Sequence, residues 1–350
     1  MDKTKLRIIA QRLVQKGKGI LAADESIPTI GKRFDNINLE NNLINREKYR
    51  RLLFTTPNLS NYISGVITFD ETLCNQELTD NLIKNDILLG IKVDKGVKDL
   101  YNSDGETVTQ GLDNLDERCK EYHSLGATFA KWRGVLKIDV LNNCPSNLSI
   151  NQNAECLARY AAICQNNGLV PIVEPEIVMD GNHNLKESYT ASVNVLDVVY
   201  KKLEEHHVYL PGTLLKPNMV RPGVEHGNDL SYEHISNTTI SAFNKTVPNE
   251  VPGIVFLSGG LSEEDATLIL NEINMVNKKH KDWALSFSYG RALQHSVLKA
   301  WQGKEENVTR AQEVLLQRCE ANSLATFGKY IQKSNENDTN DDLHVKNYAY

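Results

Sequence analysis

The chain has 350 residues, 40% of them hydrophobic and 24% charged, a composition suited to a globular enzyme with a sizeable core. Its formal net charge of −6 and pI near 5.9 disfavour a general nucleic-acid-binding role. No stretch has the apolar length of a membrane span, and the opening MDKTKLRIIAQRLVQKGKG lacks the apolar core and small-residue cleavage site of a secretory signal. Cys74, Cys119, Cys144, Cys156, Cys164 and Cys319 form no CxxC pair, so reduced thiols in a cytoplasmic protein are expected instead of a zinc site or a disulfide framework.

Short apolar runs recur in chain order, each bounded by Gly, Pro or polar residues. They are Gly19–Ala23, Ile63–Phe69, Leu88–Val93, Thr128–Val135, Leu169–Val173, Gly212–Leu215, Gly253–Leu257 and Trp283–Phe287. All are rich in Val, Ile, Leu or Phe and too short for buried helices, which fits strands covered on both faces. Helical spacing fills the intervals. Asn153–Asn167 repeats Ala154, Leu157, Ala161 and Cys164, and Val193–Leu203 repeats Val193, Leu196, Val199 and Leu203. Ser262–Val276 opens on a capping-box-like Ser-Glu-Glu-Asp. Eight strand–helix units without a linker predict an α/β fold, a (β/α)8 TIM barrel, in preference to an open doubly wound sheet that gives a similar linear signal. The barrel domain is expected over 1–331, and the polar, acidic stretch 332–350 as a mobile C-terminal tail.

Charged groups follow these runs. Run one ends in Asp24-Glu25-Ser26, run three passes Lys92 and Asp94, and run four contains Lys131-Trp132-Arg133. Run five leads to Glu174-Pro175-Glu176, run six to Lys216-Pro217-Asn218, run seven to Ser258-Gly259-Gly260, and run eight to Ser288-Tyr289-Gly290-Arg291. A charge in an apolar strand is costly unless paired or solvated. Any one of these could be an ordinary ion pair or a wet strand end. A barrel, however, gathers all eight carboxyl ends at one rim, and together they describe a site.

Lys216 is the sharpest candidate, because its stem leaves an apolar run and a proline follows. An amine must be neutral to attack a ketone. Lowering an ordinary lysine pKa of about 10.4 by ~3 units takes about 4 kcal/mol, from burial and a nearby cation such as Lys131. Glu174, on the strand between them, could carry the proton when a carbinolamine loses water. The competing reading is a plain Lys216–Glu174 ion pair, which leaves Lys131 without an obvious partner. Ser258-Gly259-Gly260 and Ser288, Gly290 and Arg291 stand before helices after runs seven and eight, the recurring phosphate position of this fold. Lys92, Ser26 and Arg33 form a second cationic group, although Arg33 alone could be a solvated surface charge. The nine histidines are scattered without ligand spacing, so no metal and no cofactor is expected.

With these residues in view, the chain resembles class I fructose-bisphosphate aldolase along essentially its whole length. The likeness rests on GKGILAADES (17–26), GIKVDKG (90–96), AKWRGVLKI (130–138), PIVEPEI (171–177), GTLLKPNMV (212–220), FLSGG (256–260) and SFSYGRALQ (286–294). The resemblance implies a metal-free lyase that reversibly cleaves fructose 1,6-bisphosphate to dihydroxyacetone phosphate and glyceraldehyde 3-phosphate. It implies Lys216 as the imine-forming lysine, Lys131 as its catalytic neighbour, Glu174 as the acid/base of imine formation, and Asp24 as the group handling the hydroxyl proton. Ser258, Gly259, Gly290 and Arg291 would hold the 1-phosphate; Ser26, Lys92 and Arg33, with Arg133 alongside, would surround the 6-phosphate. Tyr350 would protonate the enamine. A homotetramer acting on phosphorylated sugars is implied as well, with no nucleic-acid or membrane partner. Pro28, in Ile27-Pro28-Thr29, departs from the family's Thr-Gly-Ser and removes an amide next to the Thr29 hydroxyl; the stretch between Leu73 and Leu88 is shortened. Two other readings are weighed: a pyridoxal-phosphate barrel, and a non-catalytic binding scaffold. The preference between fructose 1,6-bisphosphate and fructose 1-phosphate is left open.

Overall fold

The computed structural model describes residues 1–103, 105–227, 230–276, 281–332 and 340–346. Eight parallel strands close into a barrel: β1 (Gly19–Ala23), β2 (Ile63–Thr68), β3 (Leu88–Lys92), β4 (Phe129–Leu136), β5 (Val170–Ile177), β6 (Leu214–Leu215), β7 (Gly253–Phe256) and β8 (Ala284–Tyr289). Each pairs with the next in sequence, and β8 returns to β1 with Ser288 opposite Ile20. The closed barrel is therefore the architecture, and the open sheet is set aside. Strand bounds move where the sequence signal is interrupted. β5 runs on through Glu174-Pro175-Glu176 to Ile177, while β6 shrinks to two residues because Leu210–Gly212 coils into a 3-10 turn. A small hairpin, Val97–Asp99 with Thr107–Thr109, follows β3 and has no counterpart in the expected elements.

The helices are α1 (Lys3–Leu13), α2 (Ile27–Asp35), α3 (Leu43–Phe54), α4 (Asp70–Leu73), α5 (Gln76–Lys84), α6 (Leu115–Ser124), α7 (Asn147–Asn166), α8 (Leu185–Glu205), α9 (Tyr232–Thr246), α10 (Glu263–Val276), α11 (Arg291–Trp301) and α12 (Val308–Ala325). Caps lengthen two of them beyond their apolar stripes. Ser146 accepts from the Ser149 amide at the start of α7, and Asn184 with Glu187 closes a reciprocal capping box on α8. No described helix is long and apolar enough to cross a membrane.

Strand alternation sorts the core into two shells. Outward residues such as Leu21, Ala130, Val173 and Phe256 pack under the helices. Inward residues Ile20, Phe129, Val170, Ile172, Leu214 and Val255 fill the lower barrel, together with Leu6 and Leu13 of α1 and Val14, which follows it. Two glycines make that plug possible. A Cβ on Gly65 would stand 2.7 Å from Leu13 Cδ2, and one on Gly253 2.7 Å from Val14 Cγ1. The same alternation carries Asp24, Lys92, Lys131, Arg133, Glu174, Glu176 and Lys216 into the interior above the apolar layers. Oil lies below and charge above; the site is at the carboxyl rim.

The composition of the C-terminal stretch predicts a tail without anchors, yet 340–346 is held against the barrel. Leu343 is buried, the Arg291 guanidinium donates to its carbonyl, His295 lies 2.8 Å from Asp341, and His344 lies 3.3 Å from Asp180. One apolar residue in an acidic stretch supplies the anchor, and the basic rim supplies its electrostatic partners. Burying a leucine contributes about 2 kcal/mol. Leu343→Asp is accordingly expected to speed amide exchange over 341–346 by roughly thirty-fold, read by mass spectrometry. Unchanged protection would mean that Leu343 does not hold this segment.

Candidate active site

Four side chains of alternating charge line up across the barrel interior. Asp24 follows β1, Lys131 is on β4, Glu174 is on β5, and Lys216 follows β6. Lys131 Nζ lies 2.8 Å from Asp24 Oδ2 and 3.5 Å from Glu174 Oε2; Lys216 Nζ lies 3.1 Å from Glu174 Oε1. Their side chains are at most 3% exposed. Two ammonium and two carboxylate groups balance, which is how four charges remain tolerable away from water. Burial pushes the Asp24 carboxyl up, but the Lys131 and Lys216 charges outweigh it and hold the group below the usual carboxylate range. One expectation is corrected here: Lys131 has an evident partner, Asp24, reached from the far side of the barrel. Pairing alone therefore does not separate a catalytic set from a static ion-pair chain. The surrounding cavity does.

Lys216 and Glu174 face a narrow cavity that is also lined by Ala22, Arg33, Glu176, Leu257, Ser258, Gly259, Ser288, Gly290 and Arg291. Its far wall is built for an anion. Gly259 and Gly260 adopt φ of +54° and +88°, the left-handed region, and turn the chain from β7 toward α10. Gly290 precedes the first turn of α11, whose N–H groups lack intrahelical acceptors. The Ser288 hydroxyl is buried without a hydrogen-bond partner among the described residues. Gly260 does not line the cavity; it lies under the C-terminal segment, where a Cβ would stand 2.9 Å from His344 Cα. Open space in the cavity is about 30 Å³, room for roughly two or three waters.

The second expected cationic group is not assembled as its residues suggested. Lys92 is held by Asp94 at 2.6 Å, and Arg133 by Glu176. Ser26 caps α2, its hydroxyl 2.9 Å from that of Thr29. Pro28 occupies the first helical turn, where a missing N–H leaves no intrahelical bond unmade. Ser26, Lys92 and Arg133 lie off the cavity, while Thr29 lines an outer cleft beside Arg33 and Arg291. Arg33 faces the cavity with Gly290 and Arg291, its Nη2 3.7 Å from where a Gly290 Cβ would stand. Helix α2 starts immediately after β1 and so carries Arg33 over the neighbouring β8 end, a placement that spacing along the chain does not reveal. Tyr350 lies outside the described residues. Burial pushes the Glu176 carboxyl up, and Arg133, with Arg291 and Lys216, more than offsets that, so it stays below the ordinary range. Among the described residues no three His, Cys, Asp or Glu side chains gather as a metal-binding group.

Sequence reasoning did not find Glu263, at the start of α10 directly behind the glycine turn. Burial pushes its carboxyl from 4.5 up to about 7. As pH rises through that window the unfolded chain releases a proton that the folded chain keeps, so stability falls with pH. At 1.36 kcal/mol per pH unit the full cost above pH 7 is about 3 kcal/mol. Glu263→Gln is expected to match the parent in urea unfolding near pH 4.5 and exceed it by up to about 3 kcal/mol near pH 8. Parallel pH profiles for the two would refute this.

Lysine amines buried beside carboxylates at the carboxyl rim of a (β/α)8 barrel, next to an anion cradle, define a barrel enzyme of lysine chemistry. The profile described as fructose-bisphosphate aldolase class-I matches residues 5–350. The chain is 55% identical to cytosolic fructose-bisphosphate aldolase 4 of Arabidopsis thaliana, over 95% of this chain and 86% of that one. It is 52% identical to fructose-bisphosphate aldolase of Dictyostelium discoideum, over 97% of both. Among solved structures, fructose-bisphosphate aldolase of Plasmodium falciparum, in complex with TRAP and a small-molecule inhibitor, superposes with a TM-score of 0.93 at 54% identity, covering 95% of this chain and 96% of that one. The chain belongs to the class I fructose-bisphosphate aldolase family. Its activity is that of a glycolytic fructose-bisphosphate aldolase, a lyase, and the pyridoxal-phosphate alternative falls away.

Proposed function

We propose that Lys216 is the amine that forms an imine with the C2 ketone of fructose 1,6-bisphosphate. The observation that supports this most is its Nζ, 3.1 Å from Glu174 Oε1, in the same cavity as Ser288, Gly290 and Arg291. Lys216 passes its ammonium proton to Glu174 and the neutral amine adds to C2; the carbinolamine hydroxyl then leaves as water when Glu174 returns the proton to its oxygen. The resulting iminium is the electron sink. Asp24 takes the C4 hydroxyl proton, the C3–C4 bond breaks, glyceraldehyde 3-phosphate departs, and the bonding pair rests in an enamine. Lys131, between Asp24 and Glu174, holds both carboxylates in reach and stabilises their charged forms. Tyr350, on a C-terminal tail spanning 332–350, protonates the enamine, and water then releases dihydroxyacetone phosphate.

The 1-phosphate lies against Ser258, Gly259, Ser288, Gly290 and Arg291, joined by Arg33 from α2. Gly260 keeps the turn open. Ser26, Thr29, Lys92 and Arg133 act toward the 6-phosphate, after Lys92 and Arg133 release Asp94 and Glu176. A cytosolic location is supported by relatives named cytosolic or cytoplasmic. The assembly is a homotetramer, and light scattering should return four times the 39.4 kDa of one chain. The deciding test is a coupled assay for dihydroxyacetone phosphate with a strong chelator present. Undiminished cleavage supports imine chemistry; cleavage that stops with chelator and returns with a divalent metal overturns it.

A further inference from the structure

Lys216 and Glu174 meet just where the regular ladder between their two strands has ended. On its β4 side, β5 is in register over its whole length, from Val170 opposite Phe129 to Ile177 opposite Leu136. On its β6 side only Ile172 and Val173 are in register, opposite Leu214 and Leu215. Proline accounts for the difference. Alternate residues of a strand turn their N–H and C=O groups to the same neighbour. Val173 and Ile177 both bond toward β6, so Pro175 between them faces the same edge and has no N–H to give it. On the other strand Pro217 follows Lys216 at once and lacks a donor too.

Two hydrogen bonds bracket the gap. Below the pair, the Lys216 amide donates to the Val173 carbonyl at 2.8 Å. Above it, the Ile177 amide donates to Asn218 Oδ1 at 2.9 Å, so a side-chain oxygen does what a main-chain carbonyl does in a regular ladder. Asn218 Nδ2 in turn donates to the Met219 carbonyl at 3.1 Å, which fixes the direction of the side chain. Asn218 and Ile177 are both buried, and an Ile177 amide without this acceptor would bear its full desolvation cost. Glu174 lies between Val173 and Ile177, and Lys216 lies between Leu215 and Pro217-Asn218. The two bonds together therefore set the 3.1 Å separation of Lys216 Nζ and Glu174 Oε1.

We infer that Asn218 is a positioning residue for imine formation: its side chain stands in for the ladder between the ends of β5 and β6 and keeps the Lys216 amine within proton-transfer distance of Glu174. The inference rests on the proposed roles of those two residues. Its experiment is rapid-quench borohydride trapping with dihydroxyacetone phosphate, together with steady-state cleavage of fructose 1,6-bisphosphate. The proteins compared are the wild type, Asn218→Leu, Glu174→Gln and the double variant. Leucine keeps the volume of asparagine and removes both polar atoms. Folded Asn218→Leu is expected to form the Lys216 adduct about thirty-fold more slowly and to lose about ten-fold in kcat, with KM within about three-fold. A side chain that served stability alone would lower the melting temperature and leave the adduct rate unchanged. In Glu174→Gln the proton partner is already gone, so adding Asn218→Leu should cost less than about three-fold. A folded Asn218→Leu with an adduct rate within about three-fold of the parent, or losses that multiply in the double variant, would overturn the inference and leave Lys216 and Glu174 in their roles. A wild type without a Lys216 adduct, or Glu174→Gln as fast as the parent, overturns those roles and the inference with them. Should Asn218→Leu fail to fold, Asn218→Thr takes its place, since threonine is too short to reach the Ile177 amide. It is expected to slow the adduct about ten-fold, and an unchanged rate overturns the inference equally.

Discussion

Lys216→Met is expected to lower kcat for fructose 1,6-bisphosphate cleavage by roughly 10⁵–10⁶-fold, the scale on which covalent catalysis disappears when its nucleophile is removed. Methionine keeps the apolar stem and most of the volume, so the barrel should remain folded. The substitution removes one of the two cations at Glu174 and leaves Lys131 at 3.5 Å as the other. Cleaving a buried pair outright costs about 3–5 kcal/mol, and the surviving neighbour should keep the loss below that range. Circular dichroism and a melting curve establish folding before the rate is read. Cleavage within about ten-fold of the parent, from folded variant protein, would remove Lys216 from the mechanism.

Glu174→Gln carries the next largest effect, a fall in kcat of roughly 10²–10⁴-fold, the range for loss of a positioned general acid/base. Glutamine retains the shape and can still accept from Lys216, but it cannot deliver a proton to the carbinolamine oxygen. The lesion should therefore fall on imine formation. Rapid-quench trapping with borohydride is expected to show the adduct appearing slowly, with its final yield intact. Lys131 keeps Asp24 at 2.8 Å, so the cleavage half of the site stays assembled. If kcat stayed within about three-fold of the parent, Glu174 would be a structural counter-ion and the proton would have to come from elsewhere.

What could be read from the sequence followed from period two. In Phe129-Ala130-Lys131-Trp132-Arg133, alternation sends the phenylalanine and both cations to one face, and Ala130 and Trp132 to the helices. The same rule places Ile172 below Glu174 and Leu214 below Lys216. Once eight such strands close, the charged layer above the apolar one follows from geometry. Contacts made across the barrel or between helices could not be read in that way. Asp24 meets Lys131 from a strand that is not its neighbour, and no local pattern announces it. Arg33 and Arg50 are arginines on two helices, and only their rotation toward β1 makes them partners of Glu25. Leu343 is one leucine in an acidic stretch, invisible until the basic rim it covers is assembled.

The proposed chemistry turns on one amine, and trapping reads its position directly. The protein is incubated with dihydroxyacetone phosphate, reduced with borohydride, digested and mapped by mass. The expected result is a substrate-dependent adduct on Lys216, absent from Lys131 and absent without reductant. An adduct confined to Lys131, or none from folded protein under conditions that label a control aldolase, would contradict it.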